Sequence, residues 1–587
     1  MIPAFLAALS LAACNKEKPA AAPPRFAVVR FENLTGDSSL EWTGRAASEV
    51  LAVTLESGLG GPVLRANAVS RFAQSLGAHS AAVPGVSGER PAALLAGANH
   101  IITGYVELEN GRFRVTASEE NASTGKNVRT VSATESSFDA ALGRLASQFT
   151  SKAKPYLTAN PDAVRNYAAA LEETAADGAR DFRKALDADP DFGPAWVSRA
   201  ALDAGRGDRA AFTQTVTEAR RRKIDPFSSA QLDLEEAAVD GNNKARVAAL
   251  RKVTDMSPGD TSLLRSLAEV ETSIGAFQAS AADWARLTAQ APAEFGGWNN
   301  LAYARAFAGD YAGALAALQE YARLRPNDAN PLDSLGDVHY DFGKFAEAAA
   351  AYAKATQKDP NFERQGDLYK AAWAKFRAGD KAGADKLMAE FQSARNKQPD
   401  PVTPLLAADW LYRTGRGPQA IALLRQAAAP APPDTGKADA GQAAQTSQLR
   451  MNALSQLAVW ELLAGDRAKA AMDVAAMGKP GNLPALIAAF AAMPSAAAGE
   501  WETRAGRLFP APQMQSLRRA ALAYALLLDG KREAALPIWK QVAAAAPGDF
   551  HAAAVVARLE GRKPALEVAP NPAGVNQFLA VLDQLAK

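Results

Sequence analysis

The sequence predicts a small α/β domain, a mixed sheet with helices, followed by an all-α superhelical solenoid. Three observations predict it. Residues 100–134, "HIITGYVELENGRFRVTASEENASTGKNVRTVSAT", read as three strands joined by tight turns. Gly207, Gly241, Gly275, Gly309 and Gly343 stand 34 residues apart, as do Pro258, Pro292, Pro326 and Pro360. Alanine, the best helix former, is abundant, and β-branched residues thin out after about residue 150.

Bulk properties bound the function. The chain has 587 residues, too many for one core, so several domains or a repeat array are expected. Its 65 Lys and Arg nearly balance its 63 Asp and Glu, which argues against a surface built to neutralise nucleic-acid phosphates. One cysteine excludes an internal disulfide and Cys-rich metal sites. The four histidines, His79, His100, His339 and His551, are too scattered to form a ligand motif. No run of 18 apolar residues follows the start, so no membrane-spanning helix is expected.

The amino terminus explains the single cysteine. "IPAFLAALSLAA" (2–13) is a short apolar run, suited to a signal peptide rather than a spanning helix. "LAAC" (Leu11 to Cys14) resembles the lipobox of bacterial lipoproteins. The resemblance implies cleavage before Cys14, acyl chains on that residue, and two or three chains for stable anchoring. Asn15 resembles the default residue for outer-membrane delivery, implying a periplasm-facing, lipid-anchored protein. The n-region departs from the pattern, because Met1-Ile2-Pro3 carries no basic residue. "NKEKPAAAPP" (15–24) suits a semi-rigid spacer.

"RFAVVRFEN" (25–33) reads as a strand run. Trp42, Ala46, Val50, Val53 and Leu55 define a helix face. "PVLRA" (62–66) is a short strand, "NAVSRFAQSL" a helix, 77–88 a loop, and "RPAALLAGA" a short helix. Phe113, Val115 and Ala117 alternate with Arg112, Arg114, Thr116 and Ser118, so one face is expected buried and one wet. A helix over 137–153 closes the domain. The stretch resembles the amino-terminal domain of the periplasmic protein TolB and its relatives, through "FAVVRFENLTGDSSLEWTGRAASEVL" and "LLAGANHIITGYVELENGRFRVTASEENASTGK". That resemblance implies a part in an envelope assembly or a sensory protein.

The 34-residue period resembles the tetratricopeptide repeat (TPR). "FGGWNNLAYARAFAGDYAGALAALQEYARLRPND" (295–328) carries the pattern through Trp298, Leu301, Gly309, Tyr311 and Ala314. Leu335, Gly336, Tyr340, Gly343, Phe345, Ala348, Tyr352 and Pro360 carry it in the next unit, and Gly530, Ala535, Trp539 and Pro547 near the end. Each glycine is expected to end a first helix in the left-handed region, and each proline to follow a second helix. The chain is accordingly divided into a signal peptide at 1–13, a spacer at 14–24, the TolB-like domain at 25–157, repeats at 158–428, a low-complexity insert at 429–448, and divergent repeat-like helices at 449–587, including a terminal helix at 573–586.

No chemistry emerges from the motifs. "STGKN" lacks the glycine and hydroxyl spacing of a phosphate loop. "SGLGGPV" (57–63) is no dinucleotide fingerprint, and "DADPD" (187–191) reads as an inter-repeat turn. No enzyme activity, cofactor or metal is expected. The TPR resemblance implies a groove lined by first helices, and counting from the glycines places Arg265, Glu269, Asn299, Tyr303, Asp333, Asp337, Tyr340, Tyr369 and Trp373 on it. Of the family's carboxylate-clamp residues only Asn299 has a match, so the clamp is not carried over. The expected function is a membrane-anchored scaffold or adaptor that binds a protein or peptide partner. The alternative is a sensory module in which the α/β domain binds a ligand and the repeats relay or dock.

Overall fold

The computed structural model describes residues 23–69, 87–172, 175–397, 402–429, 440–477, 515–548 and 550–566, with positions 400, 487, 503, 506 and 570. The lipobox and Cys14, most of the helix begun at "NAVS", most of the 77–88 loop, and the 573–586 helix lie outside the described residues.

The chain forms two compact units. One comprises 1–240 with 252–263, the other 241–251 with 264–587.

In the first unit, β1 (Phe26–Val28), β2 (Glu32–Asn33), β3 (Val63–Leu64), β4 (His100–Glu109), β5 (Arg112–Asn121) and β6 (Lys126–Glu135) build one mixed sheet in the order β3-β1-β4-β5-β6. β1 pairs in parallel with β3 and β4, and β2 continues along β4 opposite Tyr105 and Val106. β4, β5 and β6 form the expected antiparallel meander, with Val106 opposite Val115 and Ala117 opposite Val131. Asn110 and Gly111 both have positive φ, 50° and 73°, as a two-residue hairpin turn between right-twisted strands demands. The wet face of β5 is not wholly wet, since Thr116 is buried.

Helix α1 (Trp42–Thr54) and helix α3 (Phe138–Phe149) cover one sheet face, and α2 (Arg90–Leu95) the other. Phe26, Val28, Leu51, Ile102, Val115, Leu142 and Leu145 make the first core. Burying each aliphatic side chain contributes roughly 1.5–3 kcal/mol relative to exposure. Ser137 caps α3 by accepting from the Ala140 N–H. The first repeat helix, α4 (Pro161–Glu172), packs on α1; Arg45 bridges Glu89 at 2.6 Å and Glu172 at 2.7 Å. Helices α5 (Ala175–Ala188), α6 (Gly193–Gly205), α7 (Arg209–Ala219) and α8 (Pro226–Val239) follow.

The remaining helices run α9 (Asn243–Met256), α10 (Thr261–Ser273), α11 (Phe277–Gln290), α12 (Phe295–Phe307), α13 (Tyr311–Leu324), α14 (Asn330–Asp341), α15 (Phe345–Lys358), α16 (Gly366–Arg377), α17 (Lys381–Arg395), α18 (Thr403–Arg413), α19 (Gly417–Ala427), α20 (Ala440–Leu463), α21 (Arg467–Met477), α22 (Gln515–Leu528), α23 (Arg532–Ala545) and α24 (Phe550–Leu559). The expected period is present: Gly207, Gly241, Gly275, Gly309 and Gly343 all take positive φ, between 65° and 86°, at helix ends. Asp310 caps α13 by accepting from the Gly313 N–H, and Asp380 caps α17 through Gly383 in the same way. One expectation is corrected. Residues 440–448, read as part of an insert, belong to α20. Their Ala and Gln are good helix formers, and the low apolar content that suggested a loop reflects a weakly amphipathic helix start.

Candidate functional site

The repeat sets identical positions of successive first helices side by side. Arg265 on α10, Asn299 on α12, Asp333 on α14 and Asp367 on α16 are spaced by 34 and form one column. Glu269, Tyr303 and Asp337 form a second, one helical turn on. Both lie on the first-helix face that sequence counting assigned to the groove.

The two ends of these columns differ. At the α10–α12 end, Glu269 is exposed, and Arg265, Asn299 and Tyr303 are half-buried. Arg265 bridges Glu294 and sits over the Trp284 ring, 5.5 Å from its centroid. The Asn299 Oδ1 is buried with no hydrogen-bond partner among the described residues.

At the α14–α16 end the polar groups are interior. Lys370 Nζ lies 2.6 Å from Asp333 Oδ1 and 3.1 Å from Asp337 Oδ1. The Tyr303 hydroxyl donates to Asp337 Oδ2 at 3.0 Å, and the Tyr352 hydroxyl to Asp337 Oδ1 at 2.7 Å. Side chains thus tie α12, α14 and α16 laterally. Burial pushes the Asp337 carboxyl up, against the pull of the Lys370 ammonium. Asp367, whose two carboxyl oxygens are buried with no hydrogen-bond partner among the described residues, is pushed up to about 9, first by burial and then by the neighbouring Asp333. Taking this many carboxyls out of water around one ammonium is costly, and burial pushes Asp337 and Asp367 upward accordingly.

The sequence-predicted groove is therefore corrected in part. Asp333 is buried and Asp337 nearly so, both engaged by Lys370. Tyr340, Tyr369 and Trp373 are core residues. Trp373 packs edge-on to Trp410 at 4.6 Å, with the Arg413 guanidinium 3.9 Å from its ring centroid. Tyr369 packs on Phe391, and Tyr340 on Phe345. These aromatics fill the space between stacked helix pairs, where the large apolar area of a ring is best used. Arg265, Glu269, Asn299 and Tyr303 keep accessible surface.

Lys370, Asp367 and Tyr352 were missed, although the period carried a signal. Lys370 stands in a third 34-spaced column, after Ala268, Ala302 and Gly336, whose small members allow close helix packing. A Cβ on Gly336 would lie 2.3 Å from the Tyr352 ring. A lysine in a column of small buried residues demands carboxylates nearby. Among the described residues no group of three or more His, Cys, Asp or Glu is arranged to hold a metal ion, and no helix is long and apolar enough to cross a membrane.

No family model matches the chain. Over 124 residues the chain is 36% identical to the Hsp70-Hsp90 organizing protein of Triticum aestivum, a stretch covering 20% of this chain and 21% of that protein. The chain thus spans about a fifth of the length of this curated relative. Among solved structures it is similar to a tetratricopeptide repeat protein from Parabacteroides merdae, with TM-score 0.32 and 13% identity over 44% of this chain and 98% of that one. It is similar to PilW, a type IV pilus biogenesis factor, with TM-score 0.28 and 17% identity over 34% of this chain and 96% of that one. It is also similar to YrrB, a TPR protein with an unusual peptide-binding site, with TM-score 0.26 and 15% identity over 30% and 90% of the two chains. The chain's own helices, turns and period make it a small mixed-sheet domain followed by a long TPR-like helical array.

Proposed function

We propose that this protein is a non-enzymatic scaffold, held to a bacterial membrane through lipid on Cys14, whose repeats bind an extended segment of a protein partner. The observation that carries the reading is the α10–α12 end of the columns. There Glu269 is exposed, and the buried Asn299 Oδ1 lacks a donor among the described residues. A buried acceptor left unmade costs about 1–3 kcal/mol, which a partner's backbone N–H would recover. Glu269 beside it favours a segment bearing a Lys or Arg. The 34-spaced repetition suits an extended chain, because each repeat offers a like position at a regular interval. The periplasmic face of the outer membrane, the domain limits at 25–157 and 158–428, and the TolB-like character of the first domain belong to the same reading.

A photo-crosslinking amino acid at Glu269 tests the groove. Expression in the native envelope should give one discrete adduct from Glu269, lost on Asn299→Ala, and none from the exposed Lys354 on α15. Equal labelling from both positions would count against groove recognition. Palmitate incorporation tests the anchor: it should be abolished by Cys14→Ala, and an unlabelled parent chain would exclude lipidation.

The sensory alternative draws on the junction of the first unit. Arg45 on α1 joins Glu89 of the α/β domain to Glu172 of the first repeat helix. A ligand that shifted α1 would be felt directly by α4.

A further inference from the structure

The tripeptide Pro-Gly-Asp occurs twice at the turn after a second helix, at 258–260 and at 547–549. The equivalent turns elsewhere read Pro292-Ala293, Pro326-Asn327 and Pro360-Asn361, and their second residues are exposed. Neither Gly259 nor Gly548 has positive φ, so neither turn needs glycine for its own backbone. Both need it for what they touch.

In the first unit a Cβ on Gly259 would lie 2.4 Å from Pro62 Cβ. The Gly259 carbonyl there accepts from Arg25 Nη2 at 2.6 Å, and Thr261 Oγ1 donates to the Ala96 carbonyl at 3.2 Å. This turn is docked on the α/β domain.

In the second unit the other turn is docked on the array's own beginning. A Cβ on Gly548 would lie 2.6 Å from the Thr272 carbonyl oxygen and 2.9 Å from that of Ser273, at the end of α10. The fit is reciprocal: a Cβ on Gly275 would lie 2.8 Å from the Pro547 carbonyl oxygen. The contacting backbones are more than 270 residues apart in sequence. A glycine turn, at one edge of an early helix pair, meets a proline turn, at the opposite edge of a late one.

We propose that the Pro547–Gly548 turn and the Thr272–Gly275 turn form an intramolecular latch, which closes the second unit's array on itself. α10 carries Arg265 and Glu269 and ends in the latch, so a partner segment laid along these residues meets a closed turn. Release of the latch opens it. The latch rests on backbone approach alone and stands or falls independently of the partner.

Paired nitroxide labels on the full chain test it. Cys14→Ser leaves no native thiol, and Gln278→Cys and Ala545→Cys place labels at exposed positions beside the two turns. The expected result is a short, narrow distance distribution that persists when labelled protein is diluted into unlabelled protein. Gly548→Leu should lengthen and broaden it with unchanged far-ultraviolet circular dichroism. Asn327→Leu, at the matching turn position of another repeat, should change nothing. A broad distribution in the parent chain would overturn the latch even if Gly548→Leu failed to fold. So would a narrow one unaffected by Gly548→Leu, or one that vanished on dilution and therefore joined two copies.

Discussion

The α10–α12 and α14–α16 ends of the columns occupy the same repeat positions yet differ in kind. Arg265, Asn299 and Glu269 retain contact with solvent, whereas Asp333 and Asp337 pair with one buried ammonium and Asp367 is buried beside them. The difference comes from a third column. Where that column holds Ala268 and Ala302, the helices pack on small side chains and polar neighbours stay at the surface. Where it holds Lys370, the neighbouring carboxylates are drawn inward to satisfy it. A repeat position fixes the face of a helix. Its neighbours one turn away decide whether that face is wet.

The largest expected effect breaks the interior end. Lys370→Met leaves three buried carboxyls without their cation and should cost about 3–5 kcal/mol in urea unfolding. A loss below about 1 kcal/mol would mean that Asp333 and Asp337 are solvated after all. Next is Gly336→Ala, whose new methyl meets Tyr352 and should cost about 1–3 kcal/mol by overpacking. The equivalent Ala302→Gly should cost about 0.5–1 kcal/mol, the ordinary price of glycine in a helix.

A third test concerns pH. The folded Asp367 carboxyl titrates near about 9, far above its unfolded value of about 3.9, so the folded protein holds a proton that the unfolded chain gives up. Stability from this group is therefore complete below pH about 4 and declines as pH rises through about 9. Asp367→Asn keeps the shape without the titration, and should flatten the fall in melting temperature between pH 5 and 9. An unchanged slope would place the proton elsewhere. The smallest effect sharpens the contrast from the other end. Glu269→Lys is exposed and should change stability by no more than about 0.5 kcal/mol, while reversing the charge offered to a partner.

The period was legible because glycine and proline mark turns that no other residue makes as cheaply. Gly275, Gly309 and Gly343 sit where counting put them, and Asn110-Gly111 makes the hairpin turn that its two residues demand. The three long strands and the helices at 42–54 and 138–149 were likewise readable from alternation and face patterns. Exposure was not. Tyr340, Tyr369 and Trp373 lie on first helices as expected, but a helix has several faces and the sequence does not state which one the neighbouring pair covers. Asp333 and Asp337 read as surface charge until Lys370 is placed among them. The helical start of α20 was hidden because Ala and Gln form helices without marking an apolar stripe.

The way the chain enters the first domain sets how that domain bears tension. The Arg25 carbonyl accepts from the Asn99 and His100 N–H groups, each at 3.0 Å, and the Arg25 N–H donates to Asn99 Oδ1 at 2.7 Å. β1 then continues between two parallel neighbours, β3 and β4. A pull on the segment before Arg25 acts lengthwise on a strand flanked on both sides, so its hydrogen bonds resist together in shear instead of unzipping one after another. The hydrogen bonds that flank β1 therefore share such a load along the strand.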